Sequence, residues 1–241
     1  MTLGIGERVI TADRSVIPTA DVPTEKYFEL LQAIKDVPGI EAIKTGFAIA
    51  YRLTLAKAVE HAHEAGLKVI HDHQKAGTDI PDTGKEYAAV CREANVDAAI
   101  IFPESGPVTG QAWIKALQDA GVGVVVGGEM THKGFKRSEG GYIADEALEE
   151  MYRLGAENGV RSFVVPGNRV NRVEIYKSLL DKALGEGQYD FMSPGFIAQG
   201  GKIESYADKA GKRWHAITGR AIYDAKDMRK AAEEMTIQIR S

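Results

Sequence analysis

Short apolar or β-branched runs alternate with longer amphipathic stretches along the whole chain. The runs 8–12, 42–45, 68–72, 98–102, 123–126, 162–165, 189–192 and 215–218 read as strands, because brief apolar stretches bounded by polar or glycine-bearing segments suit strands buried on both faces. Between them, 24–36, 50–65, 84–95, 109–120, 144–158, 170–184, 203–210 and 224–238 carry apolar residues at helical spacing. Gly66 and Gly121 stand just past two of these helices, where a left-handed residue closes the last turn. Such alternation builds parallel sheets. Eight β/α units in 241 residues suit a closed barrel, whereas an open doubly wound sheet usually stops at five or six strands. The expected fold is therefore α/β, a (β/α)8 TIM barrel. No Ser/Gly-rich linker, composition shift or internal repeat divides the chain, so residues 1–241 are expected to form a single domain.

Composition narrows the partners. With 44% apolar and 27% charged residues the chain can bury a large core and lacks the signature of disorder. Thirty basic against 34 acidic residues leave a net charge of −4 with mixed signs, which speaks against a nucleic-acid footprint or a polybasic membrane patch. The expectation is no nucleic acid and no membrane. Cys91 is the one cysteine, so no internal disulfide or thiolate cluster forms and a reducing cytoplasm is the expected setting. The first residues carry no signal-peptide pattern, and no apolar run reaches membrane-spanning length.

In such a barrel, chemistry sits where the strands' carboxyl ends meet their βα loops. The expected strand 1 ends in Thr11-Ala12-Asp13, strand 2 in Ile43-Lys44-Thr45-Gly46, and strand 3 runs from His71-Asp72 through Lys75 to Asp79-Ile80-Pro81. Asp13, Lys44, Asp72, Lys75 and Asp79 thus cluster at three successive strand ends. A half-buried ion there needs a partner to offset its desolvation. The bland alternative is an ion-pair network that only stabilises the rim. In the other half of the chain, the loops after strands 7 and 8 carry Gln199-Gly200-Gly201 and Thr218-Gly219-Arg220. Glycines let backbone N–H groups close on an anion and Arg220 adds a forked charged donor, at the usual phosphate site of these barrels. A phosphorylated substrate follows, unless the glycines merely shape turns.

Other features point elsewhere with less support. His71-Asp72-His73 has metal-ligand spacing, yet a hydrolase of that kind needs further ligands; His132 is available, while His215 begins a strand and faces away from the rim. No metal is expected. His61 and His63 fall on different faces of a helix, and Cys91 within a helix reads as a core residue.

These residues together resemble the orotidine 5′-monophosphate decarboxylases, particularly their compact archaeal type. The resemblance runs the length of the chain and is carried by Asp13, Ile43-Lys44-Thr45-Gly46, Asp79-Ile80-Pro81-Asp82-Thr83, Met130-Thr131-His132, Ser193-Pro194-Gly195 with Gln199-Gly200-Gly201, and Gly219-Arg220-Ala221-Ile222-Tyr223. One departure stands out. The family's strand-3 motif is Asp-x-Lys-x-x-Asp, whereas Asp72, Lys75 and Asp79 are spaced two residues wider, an expansion that a bulge at Ala76-Gly77-Thr78 absorbs.

The resemblance implies decarboxylation of orotidine 5′-monophosphate (OMP) to UMP without a cofactor, in pyrimidine biosynthesis. It implies Lys75 as proton donor to ring carbon 6, flanked by Asp72 and Asp79, with Lys44 completing the charged row. It further implies ribose contacts from Asp13 and Lys44, a hydrogen bond from Thr131 to the pyrimidine, and phosphate contacts from Gln199, Gly200, Gly219 and Arg220. Asp79 and Thr83 would come from the partner subunit of a homodimer with composite active sites, and Ile80 would contact the substrate. The segment from Thr131 to Gly141, with Gly134, Gly140 and Gly141, reads as a mobile lid. Two other readings stay open: a Mg²⁺-dependent sugar-phosphate decarboxylase or aldolase of the same superfamily, and a non-catalytic phosphate-ligand barrel.

Overall fold

The computed structural model describes residues 8–74, 76–195 and 203–240, with side chains of 203–205 left aside. In chain order the elements are β1 (Arg14–Pro18), α1 (Thr24–Ile34), β2 (Ala42–Gly46), α2 (Phe47–Leu53), α3 (Leu55–Glu64), β3 (Lys68–Asp72), α4 (Thr83–Glu93), β4 (Ala98–Ile101) and α5 (Pro107–Asp119). There follow β5 (Gly123–Gly127), α6 (Ala147–Glu157), β6 (Ser162–Val164), α7 (Val170–Leu184), β7 (Asp190–Pro194), α8 (Ile203–Ala210), β8 (Trp214–Thr218), α9 (Arg220–Tyr223) and α10 (Met228–Arg240). The eight parallel strands pair in the order β1-β8-β7-β6-β5-β4-β3-β2. Hydrogen bonds from Val16 N to Gly39 O (2.9 Å) and from Ala20 N to Lys44 O (2.8 Å) join β1 to the β2 side, closing the ring. This is the expected (β/α)8 barrel.

Strand side chains alternate between the barrel interior and the helix layer. Ile17, Ala42, Ile70, Ala98, Ile100, Val125, Val164, Met192 and Ile217 pack together inside, while Val16, Ile43, Val69, Phe163, Phe191 and Ala216 belong to the larger core under the helices. Because both faces are covered, the strands read as short continuous apolar runs rather than alternating ones.

Two expectations about elements need correcting. Residues 8–12 are not strand 1. Val9 and Ile10 are buried against the interior layer, and the segment is tied to strand beginnings by Lys68 Nζ to Val9 O (2.7 Å) and by Thr11 and Ala12 N–H groups donating to Glu41. It plugs the amino-terminal mouth of the barrel, and its β-branched residues are bought by that burial rather than by sheet pairing. Second, the helix expected over 50–65 breaks at Thr54, whose φ of 69° ends α2, while its hydroxyl accepts from Lys57 N (3.4 Å) to cap α3. Gly66 and Gly121 do take positive φ after α3 and α5.

Candidate active site

A cavity of about 860 Å³ opens at the carboxyl ends of the strands, and its lining follows from strand parity. Several lining residues stand two or four positions beyond an interior apolar one, which places them above the last packed layer. Ile17 leads to Thr19 and Asp21, Ala42 to Lys44, Ile70 to Asp72, Ile100 to Phe102, Val125 to Glu129, and Ile217 to Gly219. The floor is apolar, made by Ile100, Val164 and Ile217.

One wall is charged. Lys44, 6% exposed, places Nζ 2.8 Å from Asp72 Oδ2 and 3.6 Å from Asp21 Oδ2, so its ammonium lies between two carboxylates. Burial pulls the pKa of Lys44 down, but Asp72 and Asp21 outweigh that and leave it above its ordinary value. Lys44 therefore stays protonated. Gly46 makes the approach of Asp21 possible, because a Cβ there would sit 2.2 Å from Asp21 Oδ1. Gly46→Ala is expected to fold but to push the exposed Asp21 carboxylate off Lys44, lowering kcat/KM by about tenfold or more as positioning is lost. Unchanged steady-state kinetics alongside an unchanged melting temperature would show that Asp21's placement is not used.

Asp21 occupies the place at the end of strand 1 that the sequence had pointed to in Asp13. Asp13 lies at the opposite, amino-terminal end of β1, ion-paired with Arg213 and Lys212 (3.0 Å), which hold its carboxyl below the usual range. The correction follows from the shifted strand. The missed signal was Ser15-Val16-Ile17, a second apolar run followed at once by Pro18-Thr19-Ala20-Asp21.

The remaining expected residues divide. Thr131 lines the cavity beside Glu129 and Met130, and Asn168 Nδ2 donates to its carbonyl (3.0 Å). Gly219 and Arg220 line the cavity beside the end of strand 1; a Cβ on Gly219 would stand 2.7 Å from Thr19 Oγ1. Asp79 and Ile80 are exposed and do not line this chain's cavity. Ile80 is nevertheless held: its carbonyl accepts from the Trp113 indole (3.0 Å) and the Thr83 hydroxyl (2.8 Å), while its N–H donates to Asp79 Oδ1 (2.7 Å). Lys75, Gln199 and Gly200 lie outside the described residues.

The loop after β3 holds the wider-spaced motif. Gln74 (φ 71°) and Gly77 (φ 88°) take left-handed conformations, and Phe102 N donates to Ala76 O at 2.9 Å. A Cβ on Gly77 would meet Phe102 O at 2.7 Å, so the loop packs backbone against backbone.

His71 and His73 do not line the cavity; both rings lie against Tyr87 of α4. Burial, then the neighbouring His73, pushes His71 down to about 4, so it is neutral near pH 7. His215 sits low in the interior with Nδ1 2.9 Å from Ser15 Oγ.

Residues 15–235 match the Orotidine 5′-phosphate decarboxylase / HUMPS family. An orotidine 5′-phosphate decarboxylase of Methanosarcina barkeri is 32% identical over 212 residues, covering 88% of this chain and 89% of its own. One of Methanosarcina mazei is 29% identical, covering 87% and 90%. Among solved structures, orotidine 5′-monophosphate decarboxylase of Methanocaldococcus jannaschii, complexed with the inhibitor BMP, superposes with a TM-score of 0.80 at 21% identity, covering 95% of this chain and 99% of its own.

Proposed function

The chain belongs to the orotidine 5′-phosphate decarboxylase / HUMPS family, and on that premise we propose that it removes the carboxylate at ring carbon 6 of OMP to give UMP. The observation that carries the reading is the row Asp21–Lys44–Asp72 lining one cavity together with the Gly219–Arg220 wall. The first wall suits a reaction that creates charge on a ring; the second suits a phosphate.

Loss of CO₂ leaves an electron pair on ring carbon 6, in the plane of the ring and without delocalisation. The protein must supply a positive charge close to that carbon and then a proton. Lys44 supplies fixed charge rather than a proton, since two carboxylates hold its proton in place. Its task is to fix Asp72 and, with Asp21, to bind the ribose hydroxyls. Lys75 is assigned as the proton donor. Thr131 binds the pyrimidine edge, and Gln199, Gly200, Gly219 and Arg220 bind the phosphate. Binding energy collected at the phosphate then supports the chemistry at the ring. No step calls for a cofactor or a metal.

Decrease in ultraviolet absorbance of OMP, followed with and without EDTA, tests the reading. The expected result is metal-independent loss of OMP; activity that vanishes with chelator and returns with Mg²⁺ would favour the sugar-phosphate alternative. Arg220→Ala is expected to weaken UMP binding by about tenfold or more while barely changing uridine binding, because its charge-assisted donor serves the phosphate alone. Equal losses for both ligands in a titration would reject that role.

The reading includes a homodimer. Asp79 and Ile80 are exposed, and exposed apolar side chains gather at adjacent strand ends, with Ile80 59%, Phe47 48% and Tyr51 76% accessible. A partner's rim covers them and receives Asp79, Ile80 and Thr83 into its own site. Sedimentation should show a dimer whose specific activity falls on dilution into monomer; a fully active monomer would contradict the composite site. Among the described residues no helix is long and apolar enough to cross a membrane, and Cys91 is buried and unpaired. The free thiol supports a reducing, cytoplasmic setting.

A further inference from the structure

Glu129 is 2% exposed, yet no step above uses it. Its carboxylate receives Lys136 Nζ at 3.0 Å, Arg169 Nη1 at 3.1 Å, Arg172 Nε at 2.8 Å and the Tyr176 hydroxyl. Burial raises its pKa, but Tyr176, Arg172 and Lys136 more than reverse this, and it stays ionised. A buried carboxylate with so many donors is a fixed point.

What is fastened to that point is the loop carrying Thr131. Arg169, just ahead of α7, bonds through one guanidinium to Glu129, to Glu139 and to the carbonyl of His132 (2.8 Å). Lys136 reaches back from the same loop to Glu129 and lies 3.8 Å from Glu139. The loop also folds on itself, with Arg137 N donating to Ile143 O (2.8 Å), Gly141 N to Lys136 O (2.9 Å), and Ser138 bound to Asp145. It is therefore tied together as a unit, and Arg169 fastens it to the barrel alongside Lys136 and the Asn168 bond to the Thr131 carbonyl. Arg172 is also matched by Glu149 at 3.8 Å, so each of the three cations has carboxylate partners and none is left over for a substrate anion.

We propose that Arg169 is a positioning residue: by bridging Glu129, Glu139 and the His132 carbonyl it holds the 131–146 loop so that Thr131 meets the pyrimidine end of the nucleotide. The proposal rests on the decarboxylase reading. Arg169 touches no substrate, and its influence falls on the base rather than on the phosphate held across the cavity.

The test is Arg169→Met, which keeps the aliphatic stem, with Glu139→Gln as a milder change on the loop side that leaves Glu129 untouched. For Arg169→Met, kcat/KM for OMP should fall by about 10- to 100-fold, more through KM than kcat, as expected when a remote change misplaces a binding group. Inhibition by UMP should weaken about tenfold while inhibition by ribose 5-phosphate, which lacks the base, stays within about twofold. Glu139→Gln should shift UMP in the same direction by a smaller factor. Hydrogen exchange in the ligand-free variants should quicken within 131–146 and not in the strands. Equal loss of UMP and ribose 5-phosphate binding would mean a general structural role and overturn the proposal, as would unchanged UMP inhibition in both variants. If the wild-type protein leaves OMP unchanged, the decarboxylase reading fails by itself; exchange in the ligand-free protein then decides, and unchanged exchange overturns the fastening.

Discussion

Lys75→Ala is expected to depress kcat and kcat/KM together by about 10²–10⁴-fold, with UMP affinity changed far less, because a proton donor acts in the transition state rather than in binding. Its chain neighbours support the assignment. Gln74 lines the cavity, and Ala76 is buried with its carbonyl bonded to Phe102 N (2.9 Å). No other lysine lies between β3 and Asp79. The competing cation is Lys44, but a lysine whose pKa is raised by two carboxylates is a poorer acid than a free one. Stopped-assay rates and UMP inhibition constants check the prediction. A variant within a few-fold of wild-type kcat would remove Lys75 from the mechanism.

Lys44→Met should damage both activity and stability. Removing one partner of a buried ion pair leaves the other charge without compensation and costs about 3–5 kcal/mol in fully buried cases. The lower end is expected here, because the Asp21 side chain is 36% exposed and keeps contact with water. Activity should fall by at least about 10²-fold, since Asp72 loses the contact that orients it. The pH dependence follows from the raised pKa. A lysine whose folded pKa lies above its unfolded 10.5 contributes stability that is fully present below pH 10.5 and is lost as pH rises through the folded value. Denaturant unfolding should therefore show wild type losing stability in alkali by a component that Lys44→Met lacks. Parallel alkaline curves for the two proteins would exclude Lys44 as its source.

How much of this was legible beforehand depends on the range of the interactions concerned. Periodicity and glycine punctuation are local, so the eight-unit barrel, seven of its strands and the caps at Gly66 and Gly121 could be read from the chain. Lys44, Asp72, Gly219 and Arg220 were equally readable as cavity residues, because they stand at or just beyond the carboxyl ends of apolar strands, whereas Thr131 was pointed to by the family resemblance. The first strand was different. Val9 and Ile10 satisfy a strand pattern and a plug pattern equally well; what separates them is whether Glu41, Lys68 and Arg213, far along the chain, take the backbone groups of the segment. That choice moved the strand-1 aspartate from Asp13 to Asp21.

Glu129 makes the same point. As a carboxylate after Gly127-Gly128 it has no local signal of burial, and a lone ion in that position would be expelled to water or neutralised. Only when the barrel closes do Lys136, Arg169, Arg172 and Tyr176 converge on it from the loop and from α7. Thus residue order alone determined the barrel and the charged and glycine-bearing strand ends, because those depend on contacts within a few residues. Tertiary structure decided which carboxylate faces Lys44 and how the Thr131 loop is fastened, because both turn on charges brought together from distant parts of the chain, where desolvation has to be matched by partners that sequence spacing does not reveal.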